Sequence, residues 1–112
     1  QKVPEEIELD GLDDEATHVL AILEGVAIGT GRILKDGHIG RVAVKKQYRG
    51  QSVGKGIMKT LIQWAEDNEI DKLWLGSQLQ AKQFYINLGF KPQGEIFTEA
   101  GIDHIKMIKY LR

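Results

Sequence analysis

Apolar and polar residues recur with the short period of β-strands in three stretches of the first half of the chain. These stretches are residues 17–23, 26–35 and 38–45. The second and third are separated by Asp36-Gly37, a pair that is typical of tight hairpin turns. Gly29 and Gly31 weaken the second stretch and indicate a bulge or a close approach of another backbone. The pattern predicts three consecutive strands joined by tight turns.

The spacing of apolar residues becomes helical after Ser52. Apolar side chains then recur every three or four positions, as on the buried face of an amphipathic helix. They are Val53, Ile57, Met58, Leu61, Ile62, Trp64 and Ala65. Ser52 is the predicted N-cap, because its hydroxyl can accept a hydrogen bond from an N–H of the first turn. Asp67-Asn68 ends the predicted helix.

The second half of the chain predicts one strand, one helix and a final hairpin. The strand covers residues 72–77, the helix covers 78–88 and ends at Gly89, and the hairpin strands cover 92–98 and 102–111. Hairpins at both ends with a strand-helix-strand crossover between them predict an α/β (α+β) fold, a mixed, mostly antiparallel sheet flanked by helices. The acidic residues 1–15 show little pattern and are expected to form a surface segment. Residues 1–112 are expected to form a single domain.

Composition narrows the function classes. The chain has 112 residues, a formal net charge of −1 and no cysteine. These values indicate neither a general nucleic-acid binder nor a membrane-surface protein, and they exclude disulfides and thiolate metal sites. No apolar run approaches the roughly 18 residues of a membrane span, and residues 1–6 do not form a signal peptide. We expect a cytoplasmic protein without nucleic-acid or membrane partners. The chain begins with Gln1 rather than Met, which suggests a fragment or a processed chain.

The glycine-rich turn over residues 49–56, R-G-Q-S-V-G-K-G, joins a strand to the amphipathic helix. Backbone N–H groups, a helix N-terminus and cationic side chains converge in such a turn, as at a pyrophosphate site. A nucleoside triphosphate is excluded, because only three residues separate Gly50 from Gly54 and because Gly56 stands where a hydroxyl should hold magnesium. The dinucleotide pattern G-x-G-x-x-G is also absent. Coenzyme A and a helix start without any ligand remain as alternatives.

Two motifs in this order resemble the GCN5-related N-acetyltransferase (GNAT) superfamily. Arg49, Ser52 and Gly54 match the fixed positions of its phosphate-loop signature Arg/Gln-x-x-Gly-x-Gly/Ala, with serine where glycine is usual. Residues 78–90, Q-L-Q-A-K-Q-F-Y-I-N-L-G-F, resemble the pattern N-x-x-A-x-x-F-Y-x-x-x-G-F, with Gln78 in the Asn position. The segments V-P-E-E, A-T-H, G-T-G-R, I-G-R-V-A-V and E-A-G-I-D-H resemble small bacterial acetyltransferases of the ElaA/YjcF type. Such proteins usually carry a strand and one or two helices ahead of V-P-E-E.

The resemblance implies an acyl-CoA N-acyltransferase fold and direct transfer of acetyl from acetyl-CoA to a primary amine of a small molecule or peptide. It implies that the strand around Val42 and Val44 pairs with the pantetheine arm, and that a backbone N–H there polarises the thioester carbonyl. The turn would hold the pyrophosphate. The residues expected to bind acetyl-CoA are Val42, Ala43, Val44, Arg49, Gly50, Gln51, Ser52, Val53, Gly54, Lys55, Gly56, Gln78, Phe84 and Tyr85.

Tyr85 and His104 are the expected catalytic residues. A phenol with a pKa of ~10 is protonated at neutral pH and can donate its proton to a departing thiolate. A histidine can act as the base that accepts a proton from the amine. His18 and Arg41 are weaker candidates for the acceptor side. No histidine pair has the spacing of metal ligands, so no metal is expected. The alternative function is a non-catalytic acyl-CoA-binding module, and a homodimer through the last strands is a further expectation.

Overall fold

The computed structural model describes residues 6–10, 16–50 and 52–112. The strands of these residues are β1 (Glu6–Asp10), β2 (Ala16–Leu23), β3 (Val26–Leu34), β4 (Ile39–Val44), β5 (Lys72–Gln78), β6 (Lys91–Glu99) and β7 (Ile102–Tyr110). The helices are α1 (Val53–Asp67) and α2 (Lys82–Asn87), each preceded by a loop that contains a short 3₁₀ turn, Lys46–Tyr48 and Leu79–Ala81 respectively.

The strands are divided between two antiparallel sheets, ordered β1-β2-β3-β4 and β5-β7-β6. The parallel part of the predicted mixed sheet is reduced, within the described residues, to an isolated bridge between His38 and Trp74. The two rings stack there, with centroids 3.8 Å apart and planes inclined by 6°. The Trp74 N–H donates a hydrogen bond to the Gly37 carbonyl at 3.0 Å. The two sheets therefore meet at one end of β4 and β5 only.

The predicted strands of the first half are confirmed, and one strand is added to them. Residues 6–10 pair with β2, with Ile7 opposite Ala21 and Leu9 opposite Val19. The prediction of an unpatterned surface segment is therefore wrong for these five residues. The sequence E-I-E-L-D does alternate as a strand should, but its short length and high charge concealed the pattern. The rest of that acidic segment, residues 1–5 and 11–15, lies outside the described residues.

Helix α1 packs closely on β3, where two glycines remove the side chains that would hold it away. A Cβ at Gly31 would lie 2.7 Å from Ile57 Cγ2, and one at Gly29 would lie 2.8 Å from Ile57 Cδ1. Ile57 is fully buried at this contact. Strand β3 also has a bulge against β2, because Ala21 pairs with Gly29 and Ile22 with Ala27, which leaves Ile28 as the extra residue. Both predicted consequences of the glycines, a bulge and a close approach, are confirmed.

One cluster of buried apolar side chains lies between α1, α2 and the two sheets. Its members are Val19, Ala21, Ile28, Ile33, Ile39, Val53, Ile57, Met58, Leu61, Ala65, Leu73, Leu75, Phe90 and Met107. The predicted helical face of α1 supplies several of them. Each such side chain contributes about 1.5–3 kcal/mol when it leaves water. Because the cluster draws on both sheets, side-chain packing holds the sheets together where their backbones do not pair.

Ser52 precedes α1 as predicted, but its side chain does not cap the helix. The hydroxyl makes no capping hydrogen bond, and the backbone has a φ of +66°, in the left-handed region. The Ser52 carbonyl accepts the first helical hydrogen bond, from the Gly56 N–H at 3.1 Å. A left-handed conformation costs a non-glycine residue about 1 kcal/mol. The predicted N-cap is therefore correct in position and wrong in mechanism.

The predicted second helix is divided into the 3₁₀ turn and the six-residue α2. Its end is the predicted one, since Gly89 has a φ of +96°. The Gly89 N–H donates to the Ile86 carbonyl at 2.9 Å, and the Phe90 N–H donates to the Tyr85 carbonyl at 3.1 Å. This pair of hydrogen bonds is a Schellman motif. It fixes the direction in which the chain leaves α2 toward β6.

Strand β6 forms the outer edge of the second sheet. All nine of its residues are exposed, and its pairing with β7 shifts between Gln93 and Phe97. The predicted final hairpin is confirmed by this pairing. An exposed edge strand can pair with another chain, but nothing in the fold tests the predicted homodimer, which stays a prediction.

Replacing Gly29 by alanine should destabilise the protein by about 1–3 kcal/mol, because the new Cβ overlaps Ile57 Cδ1. Ile57→Val removes that Cδ1 and should restore part of the loss in the double variant. Gly31→Ala is the matched control, since its Cβ meets Ile57 Cγ2, which valine keeps. Free energies of unfolding in urea, combined in two double-mutant cycles, measure both couplings. Equal rescue in the two cycles would contradict the described packing.

Replacing Ser52 by glycine should raise the free energy of unfolding by about 0.5–1 kcal/mol, because glycine adopts a positive φ without steric cost. Ser52→Ala keeps the strain and removes a hydroxyl that caps nothing. Its unfolding free energy should therefore change by less than about 0.5 kcal/mol, whereas loss of a side-chain cap costs about 1 kcal/mol. Urea denaturation of the three proteins separates these cases. A loss of the larger size in the alanine variant would mean that the hydroxyl caps α1.

Candidate active site

A cleft of about 720 Å³ opens between β4 and β5. The two strands run parallel and touch at the bridge between His38 and Trp74, beyond which they belong to different sheets. Each is the last strand of its sheet on this side, so the backbone N–H and C=O groups that face the cleft have no neighbouring strand. Such edges can pair with an extended ligand as an added strand would.

Many of the residues expected from the sequence line this cleft. They are Val42, Ala43, Val44, Arg49, Gln78, Phe84, Tyr85 and His104. The first three lie on β4, whereas Gln78 ends β5 and Phe84 and Tyr85 belong to α2. His104 comes from β7, opposite Gln78. The fold therefore brings residues from four separate elements to one space.

A bulge in β4 changes the direction of the strand inside the cleft. Gly40 pairs with Arg32 and Ala43 with Thr30, so β4 has one more residue than β3 between these pairs. Arg41 has a φ of +55°, an uncommon conformation for a residue with a side chain. A bulge leaves its extra residue outside the ladder and turns the side chain to a new direction. Arg41 is exposed and lines the cleft.

A second cavity, of about 370 Å³, adjoins the cleft at the N-terminus of α1. The two spaces share Val44, Arg49 and Phe84 as lining residues. The other loop residues that line the second cavity are Tyr48, Gly50, Ser52, Val53, Gly54 and Lys55. N–H groups in the first turn of a helix have no intrahelical partner, and the positive end of the helix dipole lies beside them. The cavity therefore has the chemistry of an anion site.

The side chain of Arg49 is fixed where the two spaces meet. Its Nε donates a hydrogen bond to the Val44 carbonyl at 3.1 Å. Lys55 adds a second positive charge in the first turn of α1. Gly54 faces Phe84 across this cavity, since a Cβ there would lie 3.6 Å from Phe84 Cζ. Two cations and several amides thus surround one cavity.

One expected phosphate-binding residue does not line this cavity. Gly56 lines neither space, and its N–H is already bonded to the Ser52 carbonyl at 3.1 Å. A Cβ at Gly56 would meet Ile7 Cδ1 at 2.6 Å, so this residue faces β1 instead. Gln51 lies outside the described residues.

Tyr85 lies in the wall of the cleft between two other aromatic rings. Its ring makes edge-to-face contacts with Phe84 and Phe90, at centroid distances of 5.0 and 5.9 Å. Phe90 is buried, so it holds the Tyr85 ring from the core side. Burial raises the pKa of the Tyr85 phenol above its usual value. The group therefore stays protonated over the whole physiological pH range.

His104 lies in the wall of the cleft formed by the second sheet. Its Nδ1 is 2.8 Å from the Ile102 carbonyl oxygen. A carbonyl only accepts hydrogen bonds, so Nδ1 must carry the hydrogen and Nε2 keeps its lone pair in the neutral ring. The ring of Phe97 stacks beside it, with centroids 5.7 Å apart. The imidazole is thus held in the tautomer that can accept a proton at Nε2.

Sequence reasoning missed the residues contributed by β5, by the first part of β4 and by the 3₁₀ turn after β5. They are Ile39, Gly40, Leu75, Gly76, Ser77 and Ala81. The topology held a signal for them, because a strand-helix-strand crossover places its two strands side by side and parallel. Applied to β4, α1 and β5, that rule would have put both strands beside one space.

Other kinds of site find no support in the part of the chain that is described. Within residues 6–10, 16–50 and 52–112, no group of three or more histidine, cysteine, aspartate or glutamate side chains is arranged to hold a metal ion. Neither α1 nor α2 has the length and apolar character that a helical membrane span requires.

A family model, related sequences and solved structures all place this chain in the same family. Residues 1–111 match the family model described as acetyltransferase (GNAT) domain. The Bacillus subtilis protein YjcF, described as an uncharacterized N-acetyltransferase, is 37% identical over 113 aligned positions, which cover 97% of this chain and 81% of YjcF. The crystal structure of Escherichia coli ElaA is similar with a TM-score of 0.79 at 31% identity, and the match covers 88% of this chain and 70% of ElaA.

A more distant structure shares the fold. It is a GNAT family acetyltransferase from Elizabethkingia anophelis with acetyl-CoA bound, and it matches with a TM-score of 0.74 at 21% identity, over 87% of this chain and 77% of that one. The predicted acyl-CoA N-acyltransferase fold is confirmed, and so is the resemblance to small bacterial proteins of the ElaA/YjcF type. Acyl transfer from an acyl-CoA is the reaction that this family supports. The chain belongs to the GNAT acetyltransferase family.

Proposed function

We propose that this protein is an N-acetyltransferase that moves the acetyl group of acetyl-CoA to the primary amine of a small molecule or peptide. The observation that carries this proposal is a pair of adjoining spaces, the cavity at the N-terminus of α1 and the cleft between β4 and β5, which share Val44, Arg49 and Phe84 as lining residues. Tyr85 and His104 both lie in the wall of that cleft. Family membership supports the acyl transfer, and the amine acceptor is the further step.

The space suits the shape and chemistry of acetyl-CoA. The pyrophosphate would lie against the first-turn N–H groups of α1, with Arg49 and Lys55 supplying positive charge. The amides of the pantetheine arm would pair with the free edge of β4 between Val42 and Val44. Gln78 and Phe84 would contact the arm from the opposite wall. With these N–H groups and two cations around it, the pyrophosphate would need no metal ion.

The transfer itself requires one bond to form and one to break. The neutral amine nitrogen attacks the thioester carbonyl carbon, a C–N bond forms, and the C–S bond breaks with its electron pair on sulfur. An unpaired N–H on the bulged edge of β4 would stabilise negative charge on the carbonyl oxygen. One proton must leave the amine and one must reach the sulfur. Two side chains of this cleft suit these roles.

His104 suits the role of the base. Its Nδ1–H is engaged with the Ile102 carbonyl, so Nε2 would take the proton from the amine. The same hydrogen bond would orient the ring toward the amine. Tyr85 suits the role of the acid, because burial raises the pKa of its phenol and keeps the proton available. It would donate that proton to the departing thiolate.

Acetyl-CoA and coenzyme A should both stabilise the protein, whereas ATP with magnesium should not. A ligand at 100 times its Kd adds about 2.7 kcal/mol, which raises the Tm of a domain of this size by roughly 10 °C. Lys55→Gln should reduce the shift, because it removes a cation from the phosphate cavity. Lys35→Gln, which removes an exposed cation outside both spaces, is the control. A protein without any coenzyme A shift would not have the proposed activity.

Tyr85→Phe should lower kcat by about 10²-fold or more and leave the KM for acetyl-CoA within about threefold, because it removes a proton donor and little shape. Tyr110→Phe is the matched control, since Tyr110 is exposed and lies outside the cleft. Steady-state acetylation of an amine panel measures both. Acetyl-CoA binding with no acetylation of any amine would instead support a non-catalytic binding module. Full activity in Tyr85→Phe would remove the acid role.

A further inference from the structure

We propose that the acceptor carries a carboxylate next to the amine that is acetylated, and that Arg41 binds this carboxylate. The inference rests on the proposed function and names the class of its acceptor, amines of the α-amino acid type. It concerns the end of the cleft that lies away from the phosphate cavity. Three observations support it: the charge of the cleft, the position of Arg41, and a second guanidinium beside it.

The ionisable side chains that line the cleft, apart from Tyr85, are all basic. Among the described residues, the lining contains Arg41, Arg49 and His104, and it contains no aspartate or glutamate. An acceptor with two or more amines would need carboxylates to bind its extra positive charges. A cleft without them repels a plain ammonium ion and attracts a group with negative charge. The acceptor that fits is therefore an amine with its own anion.

Arg41 lies in β4, whereas Arg49 lies in the loop that follows it. Val44 and Arg49 line both the cleft and the phosphate cavity, whereas Arg41 lines the cleft alone. Val44 is three positions after Arg41 along the strand, a rise of about 10 Å. Arg49 is held at its end by the Val44 carbonyl. Arg41 has no ion pair with any described residue and belongs to the end where the acceptor must meet the thioester.

The conformation of Arg41 favours a role for its side chain. The residue is one of the two in β4 that lie opposite Gly31, and it has a left-handed backbone. Glycine or asparagine would adopt this conformation more easily. Arg41 is exposed and lines the cleft, so its long cationic side chain can reach a ligand there. The planar guanidinium matches a carboxylate with two parallel hydrogen bonds.

A second guanidinium lies beside this position. Arg32 of β3 is opposite Gly40, and its Nη2 is 3.9 Å from where a Cβ of Gly40 would be. Gly40 lines the cleft directly before Arg41. The Arg32 Nε is buried and has no hydrogen-bond partner. Arg32 itself does not line the cleft, so it adds positive charge behind Gly40 rather than a second hydrogen-bond donor to the carboxylate.

The test compares acceptors that differ only in the carboxylate. The probes are the free amino acids, and each is compared with its carboxyl amide. Four of them are also compared with the amine that lacks the carboxylate. These amines are phenethylamine for phenylalanine, cadaverine for lysine, isopentylamine for leucine and histamine for histidine. The amino group is less basic in the amides and more basic in the decarboxylated amines than in the amino acids. Basicity of the amino group alone therefore cannot favour the amino acids over both. The kcat/KM for acetylation of the best amino acid should exceed that of its amide and its amine by about tenfold or more.

Variants at Arg41 assign the preference to this residue. Arg41→Gln should lower the ratio of kcat/KM for the acid to that for the amide at least about fivefold, and Arg41→Lys should keep part of this ratio. Arg41→Glu should make the amine a better acceptor than the acid. Lys35→Gln, an exposed cation at the end of the same hairpin, is the matched control and should keep the full ratio. Because each result is a ratio within one protein, a general loss of stability does not imitate it.

The outcomes separate the inference from the function on which it rests. Acetylation of amides and amines as fast as of the acids overturns the inference and leaves the N-acetyltransferase standing. A carboxylate preference that survives Arg41→Glu also overturns it, because another residue then binds the carboxylate. Failure to acetylate any probe, together with normal coenzyme A binding, overturns the proposed function and the inference together.

Discussion

The contact between α1 and the glycines of β3 determines where the phosphate cavity lies. Ile57 rests against the backbone at Gly29 and Gly31, which lets the helix approach the sheet more closely than ordinary side chains would allow. The first turn of α1 follows the loop after β4, so the depth of this packing sets the position of the unpaired N–H groups relative to Val44. The packing of the core and the position of the ligand cavity therefore both depend on the close approach of α1 to β3. A change that lifts the helix would alter stability and binding together.

The division of the strands into two sheets creates the rest of the site. In a continuous sheet, β4 and β5 would satisfy each other's backbone groups and no space would remain between them. Here their pairing ends at the bridge between His38 and Trp74, and the bulge at Arg41 bends β4 soon after it. The unpaired edges face each other across the cleft. An extended ligand with its own amides can then complete a ladder that the protein leaves unfinished.

Local patterns were sufficient to predict most of the elements, because the glycines at 29, 31 and 89 and the helical spacing after Ser52 have direct physical causes. Strand β1 was not predicted, because its charged residues concealed a five-residue alternation. The conformation of Ser52 was not predicted, because a serine at that position fits both a side-chain cap and a left-handed turn. The motifs located Tyr85 and the phosphate loop in the chain. The contribution of β5 to the cleft depended on how far two strands diverge, which tertiary packing decides.

The shared core gives the cleft a mechanical property. Beyond the hydrogen bond from the Trp74 N–H to the Gly37 carbonyl, no backbone hydrogen bond joins the two described strand edges. The gap is therefore kept at its width by buried side chains on both sides, among them Ile39 and Leu75. Protein interiors resist compression about as organic crystals do. The width of the cleft is therefore set by side-chain volume, and its two walls are already in place before a ligand enters. Little ordering of the protein is then required on binding, and affinity that a flexible site would lose to entropy is kept.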